Sequence, residues 1–356
     1  MMLHERWFTD DALYPVQVDR WASPQSLIPV AIALVVTAIT FALWRVRGRR
    51  TVALGPMQLG MPWENYERLL SWMPLVIGVH TGVTLLVGGI TRDLFIPNLP
   101  LPVNLLGGLL GLAEIAIALS FIYGALTRAA AAALALTWLV GVIYFGPVRL
   151  IEHTELLGVA FFLFATGRGP LAFDMALERL HRPSARLLPY AVPVLRVCTG
   201  FGLAVVAFTE KLWNLPMGLA FLSTHHFNFL SGIGLPVSDT MFLLLAGTVE
   251  LTIGLILMSG AYVRLLILVT LIPFNLTLPF LGWRELVGHL PIYGILALLL
   301  LTGEEKRDGK EALTEGLDDA TATNGPGSVV AGGGRGNPDI ARAETLQNFQ
   351  GALTDS

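Results

Sequence analysis

Two glutamates and two histidines stand inside otherwise apolar sequence, and the second pair repeats the first at constant spacing. Glu114 and His153 recur as Glu250 and His289. Gly124, Arg128, Gly146, Gly158 and Thr166-Gly167 recur around them as Gly260, Arg264, Gly282, Gly294 and Thr302-Gly303, every partner lying 136 positions on. An ionisable side chain at the centre of a membrane helix costs roughly 2.5–3.5 kcal/mol on insertion scales, so a duplicated set is expected to serve packing or chemistry. A carboxyl and an imidazole together suit proton transfer or hydrogen bonding to a ligand. The structural alternative makes each Glu a neutral strut between helices and each His a polar cap at the membrane surface. Without a cation nearby, a mid-membrane carboxyl is expected to keep its proton.

Other polar groups join these four as candidates. Glu285 lies one helical turn before His289, and Glu152 and Glu155 flank His153. Arg92-Asp93 and Glu210-Lys211 occupy matching places in the two copies with opposite charge order, which suggests pairing across the two halves or with the histidines. His80 falls mid-span, where the second copy has Cys198. Glu250, His289, Glu114 and His153 are therefore the candidate reactive groups, and His80, Lys211, Glu210 and Glu285 candidate ligand contacts. No HxxxH, HExxH or CxxC pattern supports a metal site at His225-His226 or elsewhere, and a single cysteine excludes dithiol exchange within the chain. Haem would need paired histidines at matching depth, which only His153 and His289 could supply.

The elements that must position these groups are membrane helices. Hydrophobic residues make up 54% of the chain and charged ones 14%, with a mean hydropathy of +0.66, the composition of an integral membrane protein. The net charge of −3, with basic residues in short clusters, gives no reason to expect a nucleic-acid partner. Spans need about 20 apolar residues each, and nine runs qualify: 27–47, 70–91, 103–126, 128–147, 151–167, 189–209, 240–261, 263–282 and 285–303. The expected fold is an all-α polytopic membrane protein with nine transmembrane helices, namely two parallel four-helix repeats and an extra N-terminal helix. Residues 1–69 hold that first helix and a linker, 70–170 the first repeat, 171–188 a second linker, and 189–303 the second repeat. The first 26 residues are polar and do not resemble a cleavable signal peptide.

Arginines cluster after the odd-numbered spans, at Arg45 to Arg50, Arg128, Arg168 to Arg186 and Arg264, which puts the N-terminus outside and the C-terminus in the cytoplasm of the inner membrane. Arg128 and Arg264 are then expected to snorkel as anchors. Thr81-Gly82 matches Thr199-Gly200 at an offset of 118 rather than 136, so the second copy has gained about 18 residues within 213–239. The apolar and aromatic content of this insert suggests an interfacial helix or lid on the outer mouth. Residues 304–356 are rich in Gly, Ala, Thr and Asp and read as a disordered cytoplasmic tail with a short helix within 338–348.

The second copy also carries Arg196-x3-Gly200, Thr209-Glu210-Lys211-Leu212-Trp213, Gly247-x2-Glu250-x3-Gly254, Gly260-x3-Arg264 and Gly288-His289-Leu290-Pro291-x2-Gly294. With these motifs it resembles the DoxX/DoxD family of four-helix membrane proteins over about 189–303, and the first copy does so more faintly over 76–170. The resemblance implies a redox-associated membrane component, such as the membrane subunit of a quinone-linked oxidoreductase working with a partner protein. The fused tandem, the additional first span and the lack of paired cysteines depart from the family's usual pattern. The expected function is a quinone-interacting subunit using an extracytoplasmic cleft lined by Glu250, His289, Glu114 and His153, with electrons from a partner because no nucleotide or flavin motif is present. A proton-coupled transporter and a non-catalytic scaffold are the alternatives.

Overall fold

The computed structural model describes residues 4–49, 52–95, 99–176 and 183–303; the tail read as disordered lies outside them. The described residues are helical and contain no strand, only an isolated bridge between Asp93 and Pro100. A leader with three short 3-10 turns, the first over Glu5–Trp7, precedes α1 (Pro24–Val46). Then come α2 (Trp63–Ser71), α3 (Met73–Thr91), α4 (Leu105–Tyr123), α5 (Thr127–Phe145), α6 (Pro147–Ile151) and α7 (Thr154–Thr166). The second half holds α8 (Leu188–Val206), α9 (Leu215–His225), α10 (Phe229–Gly232), α11 (Asp239–Ser259), α12 (Val263–Leu276), α13 (Leu278–Leu281) and α14 (Trp283–Thr302). Among the described residues, eight stretches are long and apolar enough to cross a membrane. The fifth apolar run, expected to span over 151–167, forms a single helix over 13 residues only, Thr154–Thr166. At 1.5 Å per residue that is about 20 Å, short of the roughly 30 Å hydrocarbon core.

The recurring glycines are helix terminators. Gly124 and Gly260 have φ of 69° and 75°, Gly146 and Gly282 of 89° and 71°, and Gly167 and Gly303 of 73° and 51°. In that left-handed region a Cβ is strained, and a chain that must reverse within a few residues favours glycine there. Their spacing therefore sets where α4, α5 and α7 end, and where α11, α13 and α14 end.

Close helix crossings use the glycines inside the spans. A Cβ on Gly82 would lie 2.9 Å from the Ala118 carbonyl, and one on Gly200 would lie 2.6 Å from the Gly254 carbonyl. Ala118 and Gly254 are 136 positions apart, so α3 meets α4 as α8 meets α11. The halves join where α8 packs on α7 and α14 packs on α3, while α1 lies mainly on α11. Arginines cap carbonyls at the far end of the bundle. Arg168 donates to Phe121 O (2.9 Å) and Ile122 O (2.5 Å), and Arg196 donates to the counterpart carbonyls of Leu257 (2.6 Å) and Met258 (3.0 Å). Arg264 departs from the snorkelling expected of it. It is buried, and its Nε and Nη2 donate to Leu300 O (3.0 Å) and Leu301 O (2.8 Å) at the end of α14. An arginine whose Nε and Nη2 find carbonyls inside the bundle has little need to reach the headgroups.

Candidate functional site

Ionisable side chains collect at the end of the bundle that holds the N-terminal leader. α8 continues into a π-helical turn over Ala207–Leu212, and that wider turn keeps both Glu210 and Lys211 buried. Such turns frequently mark functional sites. Lys211 Nζ is 2.9 Å from Glu250 Oε2 on α11 and 3.9 Å from Glu5 Oε1 of the leader. Glu250 is therefore a partner of a lysine, contrary to the expectation of a carboxyl without a cation. In the first copy the position matching Lys211 is Asp93. Glu114 instead accepts the Phe95 amide at 2.7 Å, beside Gly88 and the Asp93 carbonyl, and does not join the Lys211 cluster. Arg92-Asp93 does not pair with Glu210-Lys211: Asp93 accepts the Thr91 hydroxyl at 3.0 Å and Arg92 donates to Pro102 O.

The leader itself, read from sequence as a polar approach to the first span, supplies much of the cluster. His4, Glu5, Arg6 and Trp7 are all buried. His4 Nδ1 is 3.4 Å from Glu210 Oε1, and Arg6 Nη2 lies 3.1 Å from Glu152 Oε1 and 3.5 Å from Thr209 O. The His4 ring stacks on Trp7 with centroids 4.1 Å apart, and its centroid is 5.3 Å from that of His289 and 6.4 Å from that of His153. Trp7 rests on Gly288, where a Cβ would run into the indole. Both repeated histidines thus face the same leader side chain. His289 also has Glu285 Oε1 at 3.5 Å and Phe274 at 4.4 Å between centroids, and His153 has Glu155 Oε1 at 3.6 Å. His80 does not join them; its Nδ1 contacts Val76 O at 2.7 Å within its own helix.

Five carboxyl groups are buried here: Glu5, Glu152, Glu210, Glu250 and Glu285. The buried permanent cations among the described residues of the cluster are Arg6 and Lys211. Unpaired charge is very costly in such a site, so the shortfall calls for protons held within the cluster. Burial alone would lower the His4 imidazole, but the hydrogen bond and charge of Glu210 outweigh it and leave His4 raised above 6.5. Burial pushes the Glu5 carboxyl up to about 8 despite Lys211.

The 213–239 insert forms α9 and α10 and closes over the leader. Gly218 of α9 lets Glu5 approach, since a Cβ there would lie 2.8 Å from Glu5 Oε2, and Phe8 packs near Phe221 and His225. A separate, partly open crevice of about 60 Å³ runs between α3 and α14 along Thr84, Asp93, Phe95, Trp283 and Arg284. Gly88 separates it from Glu114 and Gly288 separates it from Trp7. Among the described residues no group of three His, Cys, Asp or Glu side chains is arranged to hold a metal ion.

Sequence reasoning missed His4, Glu5, Arg6 and Trp7 as site residues. The only signal was a dense acid–base–aromatic run before the first span, and neither repeat contains a counterpart to it. The fold and site define a polytopic helical membrane protein with a buried ionisable cluster. The chain matches no family model, no curated protein and no solved structure.

Proposed function

We propose that this chain is a proton-handling membrane subunit of tandem four-helix build that works with a quinone and a redox partner protein. The reading rests on one observation above others: among the described residues, five buried carboxyls share a site with two permanent cations and three imidazoles, a composition that supports the holding and release of protons. The duplicated spacing of 136 positions and the matched Gly82 and Gly200 crossings support descent from two parallel repeats. The arginine distribution supports an extracytoplasmic N-terminus in the inner membrane.

A quinone is flat and apolar with two carbonyl oxygens, and the narrow α3–α14 crevice offers the edge of such a ring an indole at Trp283 and a guanidinium at Arg284, with acid groups behind Gly88 and Gly288. Reduction of a quinone consumes two protons, which Glu250, Lys211, Glu210 and His289 would relay through the cluster. Binding of decylubiquinone or a menaquinone analogue to the purified chain tests this. Arg284→Ala should weaken it, and Glu250→Gln and His289→Ala should slow proton uptake on reduction. Affinity and uptake unchanged in all three variants would end the reading.

One observation favours a proton-coupled carrier instead: the leader and α9 cover the cluster, as an occluded carrier site would be covered. Proton-coupled flux in liposomes separates the two, because a quinone subunit gives none.

A further inference from the structure

The leader lies in its pocket in an unusual manner. The bundle wall facing it carries four buried carboxyls, Glu152, Glu210, Glu250 and Glu285, against a single lysine, Lys211, and two histidines, His153 and His289. An acidic pocket of this kind calls for a cationic occupant. The leader provides one: the Arg6 guanidinium on Glu152, the His4 imidazole on Glu210, and a flat indole on the Gly288 shelf.

The fit is incomplete. His289 Nδ1 faces Glu285 Oε1 at 3.5 Å, but the other ring nitrogen, Nε2, and the indole nitrogen of Trp7 beside it are buried with no hydrogen-bond partner among the described residues. Buried polar groups in a settled core are almost always satisfied, so this end of the pocket carries donors and acceptors that the leader does not use. The leader is held to the bundle by its side chains rather than by its main chain. The backbone of residues 4–13 bonds only within its own turns, and the first main-chain ties to the bundle are Tyr14 O, which accepts from Asn214 Nδ2 at 2.9 Å, and Gln17 N, which donates to Trp213 O at 2.9 Å.

We propose that this pocket is a binding site for organic cations that carry a flat aromatic ring, and that residues His4–Trp7 are its built-in, exchangeable occupant. The cationic head of such a ligand sits between Glu152 and Glu210 where Arg6 and His4 now lie. Its ring takes the Gly288 shelf, and a polar ring edge reaches Glu285 and His289. The inference goes beyond proton handling and stands whether or not the chain binds a quinone.

The test uses the full chain in nanodiscs with residues 4–9 replaced by a Gly-Ser stretch of equal length. Tryptamine, an indole with an ammonium group, is compared with indole-3-acetate, which has the same ring and the opposite charge. The replaced chain should bind tryptamine more tightly than indole-3-acetate by roughly tenfold or more, Glu152→Gln with Glu210→Gln should remove that preference, and the unaltered chain should bind tryptamine far more weakly. Equal binding of the two probes, or no binding by a replaced chain of unchanged helicity and Tm, overturns the proposal. Should the replaced chain not fold, Arg6→Ala in the otherwise intact chain decides. Millimolar methylguanidine should raise its Tm and leave that of Arg6→Ala/Glu152→Gln unmoved, and an equal response of both variants overturns the proposal.

Discussion

Lys211 is the residue on which the cluster turns. Its ammonium faces Glu250 at 2.9 Å and Glu5 at 3.9 Å with no exposure to solvent. Removing one partner of a buried pair leaves the other charge uncompensated, at a cost of about 3–5 kcal/mol. Lys211→Met should therefore destabilise the chain by about that amount in detergent unfolding, and Lys211→Met/Glu250→Gln by distinctly less. A simple packing role for Lys211 would make the double variant the worse of the two. Leader docking should also depend on pH. Docked, Glu5 titrates at about 8 against an ordinary 4.5, and His4 titrates above its ordinary 6.5. Both groups therefore take up protons on docking, so docking is strongest below 4.5 and weakens as pH rises through about 8. The charges facing them are Glu210 and Lys211 from the π turn, Glu250 from α11, Glu285 and His289 from α14, and Glu152, His153 and Arg6 around them. Amide exchange of residues 5–8, corrected for intrinsic rates, should quicken between pH 6 and 9, and Glu5→Gln should flatten that rise. A profile already flat in the unaltered chain refutes the linkage.

Among the elements, the glycine crossings and the π turn set the geometry. α8 approaches α11 so closely that a Cβ on Gly200 would meet the Gly254 carbonyl at 2.6 Å, whereas one on Gly108 of α4 would meet nothing within 4 Å. Gly200→Ala should then cost about 1–3 kcal/mol through overpacking. Gly108→Ala should be neutral or gain up to about 1 kcal/mol from helix propensity. Thermal unfolding of the two variants side by side checks this, and equal effects would mean that the crossing is looser than described. The recurring glycines were visible in the sequence as a pattern, but their role as terminators with positive φ was not. A glycine inside an apolar run reads equally well as a packing notch or as a stop, and only backbone dihedrals tell the two apart.

At the scale of the molecule, apolar run lengths foretold an all-helical membrane protein, and eight helices are long enough to cross. The proposed orientation, read from arginine placement, has the leader on the extracytoplasmic side. In a Cys198→Ser background, Asp10→Cys should react with a membrane-impermeant maleimide added to spheroplasts; labelling only after lysis would invert the topology. The helical class, the positions of most spans and the duplicated acid–imidazole pairs were legible in the residues alone, because these follow from local hydropathy and fixed spacing. Tertiary structure alone decided that Glu250 faces Lys211 while Glu114 rests on a backbone amide, and that His153 and His289 meet at His4. Those outcomes depend on contacts between residues up to some two hundred or more positions apart, such as His4 with Glu210 and with His289. A short charged leader carries no periodicity of its own to announce where it will be buried.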